Sequence, residues 1–197
     1  LKYIDLTESQ TLDLDDVKKK ITAKTKIVAI AHASNILGMM NPIEEVIKIA
    51  HQVGAVVVVD GAQAVSHFPV DVQKMDADFY AFSGHKMLAP TGIGVLYGKY
   101  ELINAIEPQN LGGGMNESFD NVDEVYLKEL PTRLEAGTPN IAGAIGLGKA
   151  IEYIENIGLS KIEQYEKELK QYLVEGLNKI PNVEVYNPNT DSGIVLF

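Results

Sequence analysis

The chain has 197 residues, is 46% apolar, carries a net charge of −10 and contains no cysteine. An acidic balance with scattered Lys and Arg argues against a nucleic-acid surface, and no apolar run approaches the roughly 20 residues that span a bilayer. Without a thiol, the chain supplies no disulfide, no thiolate metal site and no cysteine nucleophile of its own.

Residues 1–5 read as a short strand with no leader pattern before it, and a cytoplasmic protein is expected. Residues 13–21 predict a helix with Asp early and Lys late, the order that the helix dipole favours. A strand follows at 26–31. The next helix, 42–53, has Asn41 as N-cap and Pro42 at its first position, with Glu44 and Glu45 in the first turn. The β-branched run 56–59 is a buried strand that ends on Asp60, and 78–82 is an apolar, aromatic strand running into Ser83-Gly84-His85-Lys86. A strand at 92–97 follows after a link too short for a parallel crossover, so it should run antiparallel. Helices are expected at 141–157, stopped by Gly158, and at 160–180, with strands at 183–186 and 193–197. Alternating strands and helices predict an α/β fold with a mainly parallel mixed sheet.

Two residues at strand exits carry the chemistry. Asp60 closes one buried strand and Lys86 follows another. If these strands are parallel neighbours, their ends lie about 5 Å apart, at the sheet edge where open α/β folds bind ligands. The bland alternatives are an Asp that caps the next turn and a solvated surface Lys. Gly84, His85, Met87 and Leu88 are an odd setting for a surface lysine. An aspartate and a lysine converging on one cavity suggest pyridoxal 5'-phosphate: the amine forms a Schiff base, and the carboxylate pairs with the pyridinium nitrogen. Ser83 and His85 can donate to a phosphate, Gln63 can reach the phenolic oxygen, and His32 and Asn35 follow the strand at 26–31 to the same edge. Gly92-Ile93-Gly94 precedes a strand and is no dinucleotide fingerprint. Gly112-Gly113-Gly114 reads equally as a plain loop or an anion nest.

His32-Ala33-Ser34-Asn35, Val58-Val59-Asp60-Gly61-Ala62-Gln63, Phe82-Ser83-Gly84-His85-Lys86, Gly92-Ile93-Gly94-Val95-Leu96-Tyr97 and Arg133-Leu134-Glu135-Ala136-Gly137-Thr138-Pro139-Asn140 together resemble the cysteine desulfurase family, closest to its Suf-type branch with the selenocysteine lyases. These are fold-type I enzymes of the class V aminotransferase group. The resemblance implies Lys86 as the catalytic, Schiff-base lysine and Asp60 as the partner of the ring nitrogen. It further implies Gln63 on the phenolic oxygen, Ser83 and His85 on the phosphate, and Asn35 at the ring or the substrate carboxylate. No metal is implied. The implied substrate is L-cysteine or selenocysteine, with sulfur passed as a persulfide to an acceptor protein for iron–sulfur cluster assembly by a homodimer. Where the family often carries a Thr pair that reaches the partner subunit's phosphate, this chain has Val125-Tyr126-Leu127.

The chain is therefore expected to be a fragment, with 1–157 as a partial large domain and 158–197 as the start of a small α+β domain. It would lack the persulfide cysteine and be inactive alone. The alternatives are a selenocysteine lyase or other class V aminotransferase-like enzyme, and a catalytically silent scaffold of the same fold.

Overall fold

The computed structural model describes residues 1–121 and 124–197, with side chains described outside 119–124. Helix α1 (Leu14–Lys20) is capped by Asp13, whose carboxylate accepts the Asp15 and Asp16 N–H groups. Strand β1 (Ile27–Ala31), helix α2 (Ile43–His51), strand β2 (Val56–Asp60), strand β3 (Phe79–Ser83) and strand β4 (Gly94–Gly98) follow. The sheet order is β1-β2-β3-β4, with β1, β2 and β3 parallel and β4 antiparallel to β3. The short link before β4 enforces that reversal. Val57 and Val59 are fully buried, and with Tyr80 they share one core with Val46, Ile47 and Ala50 of α2. Each such side chain contributes on the order of 1.5–3 kcal/mol of burial.

Beyond the sheet come helix α3 (Tyr100–Asn104), a two-stranded hairpin of β5 (Asn116–Asn121) and β6 (Glu124–Leu127), and helices α4 (Ile141–Ile157) and α5 (Leu159–Leu177). A single residue, Gly158 at φ 94°, joins α4 to α5. The hairpin and α3 have no clear sequence signature, because Asn116–Asn121 is mostly polar and lacks alternation.

Three expectations are corrected. Residues 1–5 form no strand. They are tied locally instead, with the Asp13 N–H donating to the Asp5 carbonyl and an isolated bridge joining Leu6 and Leu12. Asn41 does not cap α2. Its amide donates to the Ala31 carbonyl at 2.7 Å, and Pro42 takes the cap position without a side-chain bond. Segments 183–186 and 193–197 are not strands. One backbone bond, Tyr186 to Leu196, joins them, and the buried Asn187 side chain supplies the rest, binding Ile194 and Leu196 of this segment and Leu37 of a distant turn. An isolated pair of short strands is marginal without further partners, so a side-chain clasp replaces the ladder.

The amino edge of the sheet is held by charge. The buried Asp78 carboxylate accepts the Val57 N–H, His51 Nε2 and Lys99 Nζ, each at 2.8 Å, and Lys99 and His51 also reach Asp76. Burial opposes ionisation of Asp78, but the bonds from Lys99, Val57 and His51 outweigh it and hold the carboxyl below its ordinary 3.8. A depressed carboxyl contributes stability that is present above about pH 4 and is lost as pH falls below it. Asp78→Asn is expected to cost about 1–3 kcal/mol at pH 7, since it removes the buried charge that Val57, His51 and Lys99 share and leaves the two side chains only the exposed Asp76. In urea unfolding, the gap between the variant and the parent should narrow at pH 3.

Candidate active site

Asp60 ends β2 with a neighbour on each side, paired with Ala31 of β1 and Ala81 of β3. Its backbone is fixed on both flanks: its carbonyl accepts the His32 N–H at 2.7 Å, and the next N–H, of Gly61, donates to the Ala81 carbonyl at 2.8 Å. Asp60 Oδ1 accepts the Ala62 N–H at 2.9 Å, which orients the carboxylate. Oδ2 has no hydrogen-bond partner among the described residues, and the side chain is exposed. Ser83 lies two residues beyond Ala81 on β3. Since alternate residues share a face, Asp60 and Ser83 project from the same face of the sheet.

Lys86 follows on a 3-10 turn, Gly84–Met87. The turn is anchored from below. The Gly84 N–H donates to the Ile93 carbonyl, Leu88 closes the turn at φ 66°, and the Ala89 N–H returns to the Gly84 carbonyl. Met87 and Ala89 are buried against Leu147, Ala150 and Ile154 of α4. Gly146 of α4 lets Pro90 approach so closely that a Cβ there would lie 2.6 Å from the Pro90 ring. Asn140 serves two ends: its Oδ1 caps α4 at the Gly143 N–H, and its Nδ2 donates to the Gly92 carbonyl at 3.1 Å. The lysine setting that is odd in the sequence is thus a turn whose Met87 and Ala89 plug into α4, while His85, Lys86 and Leu88 stay exposed.

Gln63 is half-buried on the tight turn after Asp60, and Asn35 is exposed at the tip of the 34–38 turn after β1. Among the described residues, Asn35, Gln63, Ser83, His85 and Lys86 have no side-chain hydrogen bond or ion pair. The candidate residues therefore gather along the carboxyl edge of β1, β2 and β3, and β2 and β3 are parallel neighbours as expected. A cavity of about 280 Å³ lies between α5 and residues 192–194, lined by His67, Glu166 and Lys170 among others. Another of about 380 Å³ opens beside the start of α2, lined by His32, Asn41 and Glu44 among others. Neither includes Asp60 or Lys86.

The sequence did not reveal what lies beneath Asp60. His32 Nδ1 and the Tyr80 hydroxyl are 2.9 Å apart, both side chains are buried, and their rings meet edge-on at 89°. The bond passes from the end of β1 to β3 under the end of β2. Gly61 makes this passage possible, because any Cβ there would collide with the Tyr80 ring. Burial lowers the His32 pKa below 6.5, so the imidazole is neutral at pH 7. Burial, and then the Asp60 charge, raise the Tyr80 hydroxyl well above its ordinary range, so it remains a donor. The one visible signal was His32 itself, which falls directly after a strand.

A family model for class V aminotransferases matches residues 1–197, the whole chain. A probable cysteine desulfurase of Halalkalibacterium halodurans is 50% identical over 197 residues, and one of Staphylococcus epidermidis is 53% identical over 199. Each alignment takes in 100% of this chain and 48% of the relative, so the chain spans about half the length of the curated relatives it matches. The structure of an apo cysteine desulfurase from Thermococcus onnurineus superposes with a TM-score of 0.92 at 46% identity, covering 99% of this chain and 49% of that one. A cysteine desulfurase from Escherichia coli superposes with a TM-score of 0.91 at 40% identity, covering 96% and 47%.

Gly61→Ala is expected to lower the unfolding free energy by about 1–3 kcal/mol, the usual cost of overpacking, because the Tyr80 ring has no room to withdraw. The neutral His32 adds a second expectation. A histidine whose folded pKa is depressed contributes stability that is present above pH 6.5 and is lost as pH falls. Denaturant unfolding between pH 7 and 5 should show this slope in the parent and a weaker one in His32→Asn.

Proposed function

Because this chain belongs to the class V aminotransferase family, we propose that it forms the cofactor-anchoring part of a pyridoxal 5'-phosphate enzyme of the cysteine desulfurase type. The observation that carries the reading is that β2 ends on Asp60 while the adjacent parallel strand β3 runs into the turn that carries Lys86, at the same edge of the sheet. Around them are polar side chains that have no partners among the described residues.

The donor set fits the cofactor. Asp60 offers a carboxylate oxygen that is free of hydrogen bonds and aligned by Ala62, the anionic partner that a protonated ring nitrogen requires. Lys86 offers an unpaired amine on a braced turn and would hold the cofactor covalently through Nζ. Ser83 and His85 flank it as phosphate donors, Gln63 would contact the phenolic oxygen, and Asn35 would face the ring or the substrate carboxylate. When bound, the cofactor supplies an electron sink for the negative charge that develops at the substrate α-carbon. Lys86 Nζ would also be the base that takes the substrate α-proton. The Asp60 carboxylate would be the partner of the ring nitrogen's proton.

The 50–53% identity to probable cysteine desulfurases supports L-cysteine as substrate and alanine as the carbon product. A thiolate must then take the sulfur, and this chain has no cysteine. That thiol comes from elsewhere in the whole protein or from an acceptor protein. We place a domain boundary at the α4–α5 junction, so that 158–197 begins a smaller domain, and we take the whole protein to be a cytoplasmic homodimer that supplies sulfur for iron–sulfur clusters. No helix among the described residues is long and apolar enough to cross a membrane.

Borohydride reduction of the cofactor-loaded whole protein, followed by peptide mapping, should place one pyridoxyl label on Lys86, and Lys86→Ala should abolish it. A label on a different lysine would overturn the assignment. Asp60→Asn should keep the label but lower turnover by 100-fold or more. The 197-residue chain alone, given cofactor, reductant and L-cysteine, should release neither alanine nor sulfide.

A further inference from the structure

We infer that the His32–Tyr80 hydrogen bond is a positioning strut that sets the Asp60 carboxylate against the ring nitrogen of the bound cofactor. The inference rests on the cofactor reading above and adds two residues to it that touch neither cofactor nor substrate. Its basis is the architecture under the end of β2. Hydrogen bonds to the neighbouring strands hold the Asp60–Gly61 peptide laterally, but ladder bonds lie in the plane of the sheet and resist displacement out of it poorly. The Tyr80 ring fills that direction. It lies against Gly61 on the core side, while Asp60 projects from the opposite face. The ring cannot swing away, because its hydroxyl is tied to His32 at the end of β1.

The pair is also chemically fitted to a static role. Two titratable groups face the Tyr80 hydroxyl, His32 through the hydrogen bond and Asp60 through its charge. On the far side of His32, Glu44 and Glu45 of α2 share a cavity with it. A neutral imidazole accepts from a neutral phenol, so no net charge lies under Asp60 to compete with the ring nitrogen for its carboxylate. A purely space-filling role would be met by phenylalanine at position 80 and an apolar residue at position 32. Instead, two polar groups are buried and matched to each other, an arrangement that specifies one orientation.

The test uses the whole protein and pyridoxal 5'-phosphate labelled with nitrogen-15 at the ring nitrogen. Tyr80→Phe keeps the ring over Gly61 and removes the tie. His32→Gln removes the imidazole but keeps an amide that can bond the phenol. In the parent, the ring-nitrogen resonance should report a held proton at pH 8. Tyr80→Phe should move the resonance toward the unprotonated position and weaken cofactor binding about tenfold, with the reduced label still on Lys86. His32→Gln, which keeps a partner for the phenol, should show less than half of either effect. Parent-like resonance and affinity in Tyr80→Phe, with only a lower melting temperature, would overturn the strut. If Tyr80→Phe does not fold, His32→Leu takes its place with the same expected shift, and parent-like values there overturn the strut equally. Failure of the parent to take up the cofactor would overturn the cofactor reading and the strut together.

Discussion

Parallel pairing of β1, β2 and β3 is the constraint on which everything else depends. Parallel strands send all their carboxyl ends to one edge, so the segments that follow them must meet there. The 31–35, 60–63 and 83–86 segments are scattered over more than fifty positions of sequence, and the register Ala31–Asp60–Ala81 brings them side by side. The antiparallel β4 contributes to the same edge in another way, since its start returns Ile93 and Gly94 to hold the lysine turn.

The two edges of the sheet treat charge in opposite ways. At the amino edge, Asp76, Asp78, His51 and Lys99 satisfy one another. At the carboxyl edge, the Asp60 carboxylate is oriented by the Ala62 N–H, and among the described residues its second oxygen and the side chains of Asn35, Gln63, Ser83, His85 and Lys86 have no partner. A protein that needed only to fold would have reason to pair the second set as it pairs the first. Groups left aligned and unpaired are what a ligand requires, since a preformed partner would have to be displaced before binding.

Much of this was readable in the sequence, for physical reasons. The run of valines before Asp60 and the aromatic run before Ser83 mark buried strands, because such residues favour a pleated, enclosed surface. Their abrupt polar ends mark the exits. Helix α4 was readable to its last residue, because Gly158 stops it. What could not be read depends on partners distant in sequence. Tyr80 sits inside an apolar run and looks like any core aromatic; its tie to a histidine 48 positions earlier is a property of the fold alone. Asn41 has the composition of a helix cap and was drawn to the Ala31 carbonyl instead. The terminal segments have the β-branched and apolar composition of strands but have no ladder to join, and Asn187 closes the gap with its own amide.

The 34–40 turn that carries Asn35 is gripped from two sides. On one side it continues β1. On the other, Asn187 binds the Leu37 carbonyl and the Ser192 N–H donates to the Gly38 carbonyl, so residues far along the chain, beyond α5, hold the tip of a loop near the start. Helix α5 is in turn joined to the lysine-bracing α4 through one glycine, and it carries Glu166, which pairs with His67 on the stretch after Gln63. The turn that carries Asn35 is therefore tied to residues 187–192, the stretch after Gln63 to α5, and the lysine turn to α4. The edge at which the three parallel strands end is thus closed by segments that come much later in the chain, so the site's loops keep their places only when the second half of the chain is folded against the first.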